Sequence, residues 1–379
     1  MDVVVLGDGP AGCATAVHLL RYGLTVDLAG TTTLPYDALE SIALRALRAG
    51  DAGEIAHVFD DGVVAEAFGK PALLYRRAHV AARMRELARS CGARAFALGS
   101  IGFDRARGHA RLPDACAVPA FLVDATGCAA RLTETHAPED ALIADVWRVP
   151  SRGSAGAWSE GTSPRAWSYT IDDGTCATFG RIGAPPARVA PPGGIRLARR
   201  PARLSWAVAP VLGNRLSVGD AAVAHSPASG SGMRSALSGA RAAAAAIATA
   251  LRHPERRAIA LRYYEDAVAR EVATARGVRG ARPAPVPRAE RMHWAVDVVQ
   301  IPQYDDGWIV LRDALRAHGT AEDYRFAGGV DLLAVRNGTP AVVDAAAIAC
   351  LLGTSATARA DGERLFTWLC DRGLVRPAV

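Results

Sequence analysis

Short apolar runs and helical apolar faces alternate along the first part of the chain. Residues 3–6 form a continuous apolar run, which is typical of a strand buried on both faces of a sheet. From Ala14 to Leu20 apolar residues recur at helical spacing, Gly23 ends the helix, and residues 24–28 predict a second strand. The order strand, turn, helix, strand predicts an α/β sheet.

Later segments show the same patterns. They predict a helix over 37–49, a strand over 73–75, a helix over 76–90, strands over 121–127 and 216–220, and a long helix over 232–251. Between 141 and 208 the pattern changes, and the residues on either side of Asp172-Asp173-Gly174 predict a hairpin. We interpret this stretch as a β-rich insertion. Residues 277–290, rich in Pro and Arg, predict a connector to a further segment.

The first strand runs directly into a glycine-rich turn with the pattern G-x-G-P-A-G. Its first glycine permits the tight turn, its second lets the backbone approach a pyrophosphate, and its third lets the helix pack on the strand. Phosphates would lie at the positive end of that helix. The turn therefore predicts a dinucleotide site, and the alternative is a glycine turn in an ordinary α/β sheet. The residues assigned to this site are Gly7, Gly9, Pro10, Ala11 and Gly12.

Composition argues against several other classes of function. The chain has 44 basic and 38 acidic residues, a formal net charge of +6. The basic residues form no polybasic block and include one lysine, Lys70, so nucleic-acid binding is not predicted. Seven cysteines without a C-x-x-C pair predict neither a disulfide framework nor a metal site. No apolar run approaches the roughly 18 residues of a membrane span, and the first strand begins at once, so we expect a cytoplasmic protein that binds no membrane.

Three later segments complete a pattern with the first glycine turn. They are Arg77 with the helix positions Val80, Met84 and Ala88 and the following Gly92 and Ala93; the strand end Val123-Asp124-Ala125-Thr126-Gly127; and Gly219-Asp220-Ala221-Ala222 followed by Pro227, Gly230 and Gly232. Taken in order, the chain resembles FAD-dependent monooxygenases of the p-hydroxybenzoate hydroxylase type and the related flavin-dependent tryptophan halogenases. The joint match of the glycine turn and the last segment is specific, whereas the strand end alone is common.

The resemblance implies a role in FAD binding for each segment. Arg77 would lie close to the FAD, and Asp124 would close a strand beside the adenosine. Asp220 would accept a hydrogen bond from a ribityl hydroxyl, and backbone N–H groups around Gly232 would stabilise negative charge on the reduced flavin ring. The cofactor contacts implied in addition to the glycine turn are Arg77, Asp124, Gly219, Asp220, Pro227, Gly230 and Gly232.

The chain departs from the family at the end of the second strand. An acidic residue there normally binds the adenosine ribose, whereas helix length and spacing place Gly30 at this position. Asp27 lies three positions earlier and faces the other way by strand alternation. Losing a charged hydrogen bond costs roughly 1.5–3 kcal/mol, or about ten- to a hundredfold in affinity. We therefore expect weakened FAD binding, with the threonines at 31–33 as partial replacements.

Two positions bear on the reaction. The hydroxylases often have His directly after G-D-A-A, whereas this chain has Val223, and His225 comes two residues later. His225 is a candidate catalytic proton-transfer group, and a structural role for it stays open. The halogenases need a catalytic lysine and a W-x-W-x-I-P segment, but Lys70 lies in a Gly-Lys-Pro loop and the tryptophan motif is absent. The resemblance therefore implies hydroxylation rather than halogenation.

Two stretches suggest a narrower relationship. Glu40-Ser41 is similar to the G-E-S element of halogenase-like flavoproteins, without its glycine. Residues 165–170 are similar to the W-x-Y strand of a subgroup that includes flavoproteins hydroxylating a tryptophan during maturation of cysteine tryptophylquinone enzymes. Trp167 and Tyr169 are therefore candidates for substrate contact. Core packing is the alternative for aromatic residues two apart on a strand.

The resemblance implies a glutathione-reductase-type Rossmann FAD domain (1–140 and 209–300) interrupted by an antiparallel β-sheet substrate domain (141–208). The resemblance covers residues 1 to about 260; beyond it, the order strand, turn, helix, helix predicts a small C-terminal helical or winged-helix-like domain (301–379). NAD(P)H or a partner flavin reductase would reduce the FAD, and O₂ would add to it. The flavin hydroperoxide would then hydroxylate an activated aromatic ring, in a small natural-product intermediate or in a peptide or protein tryptophan. The alternatives are an FAD-dependent oxidase or dehydrogenase of a small natural product, and a flavin-poor peptide-binding maturation partner.

Overall fold

The computed structural model describes residues 2–30, 37–44, 54–97, 102–104, 109–111, 119–136, 142–163, 166–183, 190–225, 231–252, 254 and 257–276. The strands are β1 (Val3–Leu6), β2 (Val26–Gly30), β3 (Leu39–Ala43), β4 (Val63–Ala67), β5 (Lys70–Arg76), β6 (Arg94–Ala97), β7 (Gly102–Asp104), β8 (His109–Arg111), β9 (Phe121–Asp124), β10 (Thr135–His136), β11 (Ile143–Pro150), β12 (Gly156–Ser163), β13 (Ala166–Asp172), β14 (Cys176–Gly183), β15 (Ile195–Pro201), β16 (Ser205–Ala207), β17 (Val211–Leu212), β18 (Arg215–Ser217) and β19 (Val223–Ala224). The helices are α1 (Pro10–Arg21), α2 (Glu54–His57), α3 (Arg77–Ser90), α4 (Gly232–Arg252) and α5 (Arg257–Ala275), with 3₁₀ turns at Gly127–Ala129 and Gly219–Ala221.

A six-stranded sheet in the order β17-β18-β9-β1-β2-β6 contains the first apolar run. β1 pairs in parallel with both β2 and β9, and β9 pairs in parallel with β18. All four side chains of β1 are fully buried, as expected for a central strand of a parallel sheet. α1 connects β1 to β2, so the predicted strand–turn–helix–strand unit is confirmed.

An eight-stranded, largely antiparallel sheet has the order β15-β11-β14-β13-β12-β4-β5-β3. β13 and β14 form the hairpin predicted from the sequence, and β11 pairs with β14 and β15. Its buried apolar residues include Val146, Tyr169, Ile171 and Ile182. Two smaller sheets have the orders β10-β16-β19 and β7-β8. The predicted fold class, a parallel α/β sheet combined with an antiparallel β-sheet, is confirmed.

The helix predicted over 37–49 is wrong at Leu39–Ala43, which forms β3. β3 pairs antiparallel with β5, and the Leu39 N–H donates a 2.8 Å hydrogen bond to Thr178 Oγ1. Leu39 and Ile42 are the buried residues of β3, and their spacing of three suits a helical face. Pairing with β5 overrides that local signal, since strand formation depends more on neighbouring strands than on the segment itself.

Three strands of the eight-stranded sheet, β3 to β5, come from the stretch that the sequence-based boundaries place in the FAD domain. Those boundaries stay a prediction.

The chain forms two compact units. The first comprises Met1–Leu20, Thr25–Ala243 and Val268–Arg279, and the second comprises Arg21–Leu24, Ala244–Ala267 and Gly280–Val379. The first unit contains both large sheets. The domain predicted at 301–379 lies outside the described residues. Where the chain is described, it has no helix with the length and apolarity to cross a bilayer.

Candidate functional site

A cavity of about 410 Å³ lies in the first unit at the carboxyl ends of three parallel strands. Residues 7–11 follow β1, residues 125–127 follow β9, and Asp220 comes shortly after β18. Its volume is in the range of small-molecule sites, and open α/β sheets bind their ligands at strand ends. Other elements contribute Glu40, Arg77, Tyr169, Arg200, His225 and Gly232 to its walls.

The glycine turn after β1 has the tight geometry that the sequence predicts. Gly7 has φ +110°, and a Cβ on it would lie 2.1 Å from the carbonyl oxygen of Ala125. A Cβ on Gly12 would lie 1.8 Å from the carbonyl oxygen of Gly7, so only glycine lets α1 pack against the turn. Nothing lies within 4 Å of a Cβ built on Gly9. The middle of the turn is therefore open to a ligand that approaches the start of α1.

The second glycine motif meets the first one in space. Gly219 has φ +60°, and a Cβ on it would lie 2.5 Å from the Cβ of Ala11. Asp220 follows in the same 3₁₀ turn and lines the cavity. The Cys128 thiol donates a 3.4 Å hydrogen bond to Asp220 Oδ2. Partial desolvation of the thiol, with the Asp220 charge beside it, raises the pKa of Cys128 to about 12, so this thiol stays protonated at neutral pH.

Asp124 is fully buried at the end of β9. Its Oδ1 accepts hydrogen bonds from the Thr126 N–H (3.1 Å) and hydroxyl (2.6 Å). Its Oδ2 accepts from the Leu132 N–H (2.8 Å) and the Thr133 hydroxyl (2.9 Å). These four bonds stabilise the buried carboxylate and shape the turn beside the cavity. Asp124 is not in the cavity wall, so its direct contact with a cofactor stays a prediction.

Arg77 begins α3 at the cavity wall and forms an ion pair there. Its Nη1 donates a 2.8 Å hydrogen bond to Glu40 Oε1, and the Tyr75 hydroxyl donates at 3.0 Å to Glu40 Oε2. Burial alone would raise the pKa of Glu40, but Arg77, Arg200 and the Tyr75 hydroxyl together hold it below its usual value. Burial and the Glu40 charge raise the pKa of Tyr75 well above its usual value. At neutral pH Glu40 is therefore ionised and Tyr75 is protonated.

The two aromatic residues of the predicted W-x-Y strand lie in different places. Tyr169 is in the cavity wall, beside Val146 and Ile171 of the same sheet. Trp167 is absent from that wall and packs against the core of the sheet, with its ring 5.8 Å from the Tyr169 ring. A Cβ on Gly180 would lie 2.2 Å from Tyr169 Cε1, so that glycine makes room for the tyrosine ring.

His225 lies in the cavity wall next to an ion pair. Its Nε2 is 3.0 Å from Glu271 Oε1, and Arg234 Nη2 donates to the same oxygen at 2.6 Å. Burial alone would raise the pKa of Glu271, but its contact with His225 and the charge of Arg234 hold it below its usual value. Glu271 is therefore ionised at neutral pH and fixes the histidine in place.

Other predicted site residues have separate outcomes. Pro227 and Gly230 lie outside the described residues, as do the threonines at 31–33, and Gly232 is the first residue of α4, in the cavity wall. Sequence reasoning missed Tyr75 and Arg200, because neither belongs to a motif. Only the pairing of β3 with β5 brings Tyr75 to Glu40. In the described part of the chain no group of His, Cys, Asp or Glu could hold a metal ion, although some cysteines fall outside it.

The residues present fit a flavin dinucleotide. The turn between β1 and α1 leaves open space at Gly9, where a Cβ meets nothing. The lining of the cavity combines charged groups, among them Asp220 and Arg77, with the aromatic and apolar side chains of Val146, Tyr169 and Ile171 from the eight-stranded sheet. Backbone N–H groups and a helix start suit phosphate, and an apolar wall with few polar groups suits an aromatic ring system.

No family model matches the chain, and no curated protein matches it. Solved structures do resemble it. The peptidyl tryptophan dihydroxylase QhpG, essential for tryptophylquinone cofactor biogenesis, is 18% identical with a TM-score of 0.59, over 98% of this chain and 99% of that chain. The flavin-dependent brominase Bmp2 is 17% identical (TM-score 0.57; 73% of this chain, 86% of that chain). CtdE in complex with FAD is 14% identical (TM-score 0.55; 73% and 92%). The resemblance inferred from the motifs is thus confirmed at the level of the fold.

Proposed function

Because the chain has the fold of flavin-dependent halogenases and hydroxylases, we propose that it is an FAD-dependent monooxygenase that hydroxylates an activated aromatic substrate. One observation carries the proposal. The glycine turn, Arg77 and Asp220 line the same cavity as Tyr169 and the apolar face of the eight-stranded sheet. A site for a dinucleotide and a site for an aromatic ring therefore adjoin, which is the arrangement that a flavin hydroxylase needs.

In this proposal the ends of the six-stranded sheet hold the cofactor. Backbone N–H groups at the start of α1 bind the pyrophosphate, and the open space at Gly9 lets it approach. Asp220 accepts a hydrogen bond from the ribityl chain. Arg77, held by its hydrogen bond to Glu40, would contact the cofactor in the same cavity. The first residues of α4, beginning at Gly232 in the cavity wall, would offer backbone N–H groups to the flavin ring.

Bound and reduced by two electrons, FAD supplies the activation of O₂, so that one oxygen atom enters the substrate and the other leaves as water. The chain supplies the remaining requirements. Val146, Tyr169 and Ile171 exclude water from the reacting ring. The ring carbon that gains the hydroxyl loses a proton, and His225, whose Nε2 lies 3.0 Å from Glu271, is the group in the cavity wall to which we assign its removal.

Within this class we propose that the substrate is a tryptophan side chain in a peptide or protein. The support is the extent of the structural likeness. The match to QhpG, a peptidyl tryptophan dihydroxylase, extends over 98% of this chain, whereas the matches to Bmp2 and CtdE cover 73% of it. A small aromatic natural product is the second candidate, favoured by those two matches. NAD(P)H or a partner flavin reductase would supply the electrons, and we propose that the protein works in the cytoplasm.

The test supplies purified protein with FAD, NADPH and isotopically labelled O₂, with and without a flavin reductase. A panel of tryptophan-containing peptides and free tryptophan serves as substrate, and mass spectrometry follows the label. The proposal predicts one labelled oxygen atom in a peptide product. Label in free tryptophan alone would contradict the peptide substrate. Oxidised product without label would identify an oxidase or dehydrogenase and contradict the monooxygenase.

A further inference from the structure

Gly30, at the end of β2, is covered by the side chain of a residue from the glycine turn. A Cβ on Gly30 would lie 2.0 Å from Asp8 Cγ and 2.3 Å from both Asp8 Cβ and Oδ2. The Asp8 carboxylate therefore occupies the space that a side chain at position 30 would fill. A larger residue at 30 and an aspartate at 8 exclude each other.

An arginine on α3 anchors the Asp8 carboxylate in this place. Arg85 Nε lies 2.9 Å from Asp8 Oδ2, and each of the two side chains is only 15% exposed. Asp8 also lines the cavity, whereas Arg85 and Gly30 are not in its wall. The Nη2 of Arg85 is buried and has no hydrogen-bond partner among the described residues. The ion pair thus holds a negative charge at the cavity wall, beside the end of β2.

Asp27, the acidic residue of β2, does not place its carboxylate at the cavity. Its side chain is 3% exposed, and Arg94 donates to both of its oxygens, from Nε at 2.7 Å and from Nη2 at 2.9 Å. Strand alternation turns it to the other face, as the sequence predicts. Asp8 is therefore the carboxylate that lies at the end of β2 on the cavity side.

We propose that Asp8 binds the ribose hydroxyls of the adenosine half of FAD, in place of the acidic residue that the chain lacks at position 30. The proposal rests on the proposed FAD binding. It reverses the expectation of weakened binding drawn from Gly30 alone, because the carboxylate is moved from the strand end to the turn rather than lost. Gly30 is glycine because the Asp8 side chain needs its space.

The Asp8 carboxylate also has an effect that would weaken FAD binding. The residue lies between Gly7 and Gly9, so its charge is also close to the place of the pyrophosphate, and like charges repel. The Arg85 ion pair reduces that repulsion. If the ribose contact dominates, removing the carboxylate weakens FAD binding. If repulsion dominates, removing it strengthens binding. The sign of the change in affinity therefore decides between the two.

The experiment measures dissociation constants of FAD, ADP and FMN by calorimetry for the full chain and for Asp8→Ala and Asp8→Asn. We expect Asp8→Ala to weaken FAD binding by about ten- to a hundredfold, since a charged hydrogen bond is lost. ADP carries the same ribose and should lose a similar factor. FMN lacks the adenosine and should keep its affinity. Unchanged or tighter FAD binding by Asp8→Ala, or an equal loss for FMN, would overturn the proposal.

A second, independent experiment moves the carboxylate from position 8 to position 30 and measures the affinity for FAD. Asp8→Gly alone should weaken FAD binding, and Gly30→Glu alone should do so as well, because the new side chain collides with Asp8. The double variant Asp8→Gly/Gly30→Glu restores a carboxylate at the strand end without the collision and should regain most of the affinity. A double variant no better than Asp8→Gly overturns the proposal. Circular dichroism checks that each variant is folded.

The two proposals can fail separately. Full-length protein that binds neither FAD nor ADP contradicts the proposed function and this inference together. Full-length protein that binds FAD, with Asp8→Ala binding it equally well, leaves the proposed function intact and contradicts only the role of Asp8.

Discussion

Two regions meet at the cavity and are built in different ways. The first, here called the cradle, consists of residues 7–12 and 219–221 at the ends of the parallel strands, and its shape is set by backbone. At Gly7, Gly12 and Gly219 an added Cβ would come within 2.5 Å of another atom. The second, the substrate face, consists of Val146, Tyr169 and Ile171 on the eight-stranded sheet, and its shape is set by side chains. Under the proposed function, the cradle would bind the cofactor and the substrate face would contact the substrate, so we expect backbone changes in the first region and side-chain changes in the second to have different effects.

The largest effect should follow from Gly7→Ala in the cradle. The added Cβ would lie 2.1 Å from a backbone oxygen at a φ of +110°, so strain and overpacking together should cost about 2–6 kcal/mol of unfolding free energy. Urea denaturation measures this loss. The matched control is Gly9→Ala, whose Cβ meets nothing within 4 Å. It should change stability by less than about 0.5 kcal/mol and should weaken FAD binding. Equal stability losses for the two variants would contradict the described turn.

Arg77→Met tests the ion pair between Arg77 and Glu40, which lies in the wall of the same cavity but in neither region. Removing the charged hydrogen bond to Glu40 should cost about 1.5–3 kcal/mol of unfolding free energy at pH 7. The matched control is Arg76→Met, because Arg76 is 43% exposed and its contact with Asp173 is 3.3 Å long. That variant should lose less than about 1 kcal/mol.

The effect of Arg77→Met should also depend on pH. The pKa of Glu40 is lowered in the folded protein, so its stabilising contribution is present above the unfolded value of about 4.3 and is lost as pH falls through the folded value. The stability difference between wild type and Arg77→Met should therefore be full at pH 7 and shrink below pH about 4. A difference that stays constant down to acid pH would contradict the charged pair.

Gly180→Ala tests whether the substrate face is independent of the cradle. The new Cβ would lie 2.2 Å from the Tyr169 ring, so the ring must move, at a cost of about 1–3 kcal/mol in stability. The affinity for FAD should stay within about twofold, because Gly180 and Tyr169 lie on the eight-stranded sheet and neither belongs to the cradle. Hydroxylation of a peptide tryptophan should fall. A loss of FAD affinity as large as that of Gly9→Ala would show that the two regions are not separate.

Phe68→Asn should give the smallest effect, and it should be stabilising. Phe68 has φ +51° in the turn between β4 and β5 and is 39% exposed. Asparagine tolerates this backbone conformation better, so thermal unfolding should indicate a gain of about 0.5–1 kcal/mol. The control Phe68→Leu keeps the strained backbone with an apolar side chain and should give no gain. An equal gain for Phe68→Leu would mean that backbone strain is not the cause.

The same contrast between regions explains what the sequence could predict. The cradle is specified by glycines at fixed spacing, and Gly7, Gly12 and Gly219 lie where that spacing predicts. The substrate face depends on which strands pair, and no short motif encodes that pairing. Hence Tyr75 was missed, since only the pairing of β3 with β5 brings it to Glu40, and β3 itself was predicted as a helix. Trp167 and Tyr169 were predicted together, yet only Tyr169 reaches the cavity wall.

The most direct test of FAD binding at the glycine turn is to titrate the purified full chain with FAD and to measure the heat by calorimetry and the spectrum by visible absorption. We expect one FAD to bind per chain, with its visible spectrum perturbed by the protein. Gly9→Val should fill the open part of the turn and lose that binding while the protein stays folded. Folded wild-type protein that produces neither heat nor a spectral change, or Gly9→Val that binds FAD as tightly as wild type, would contradict FAD binding at the glycine turn.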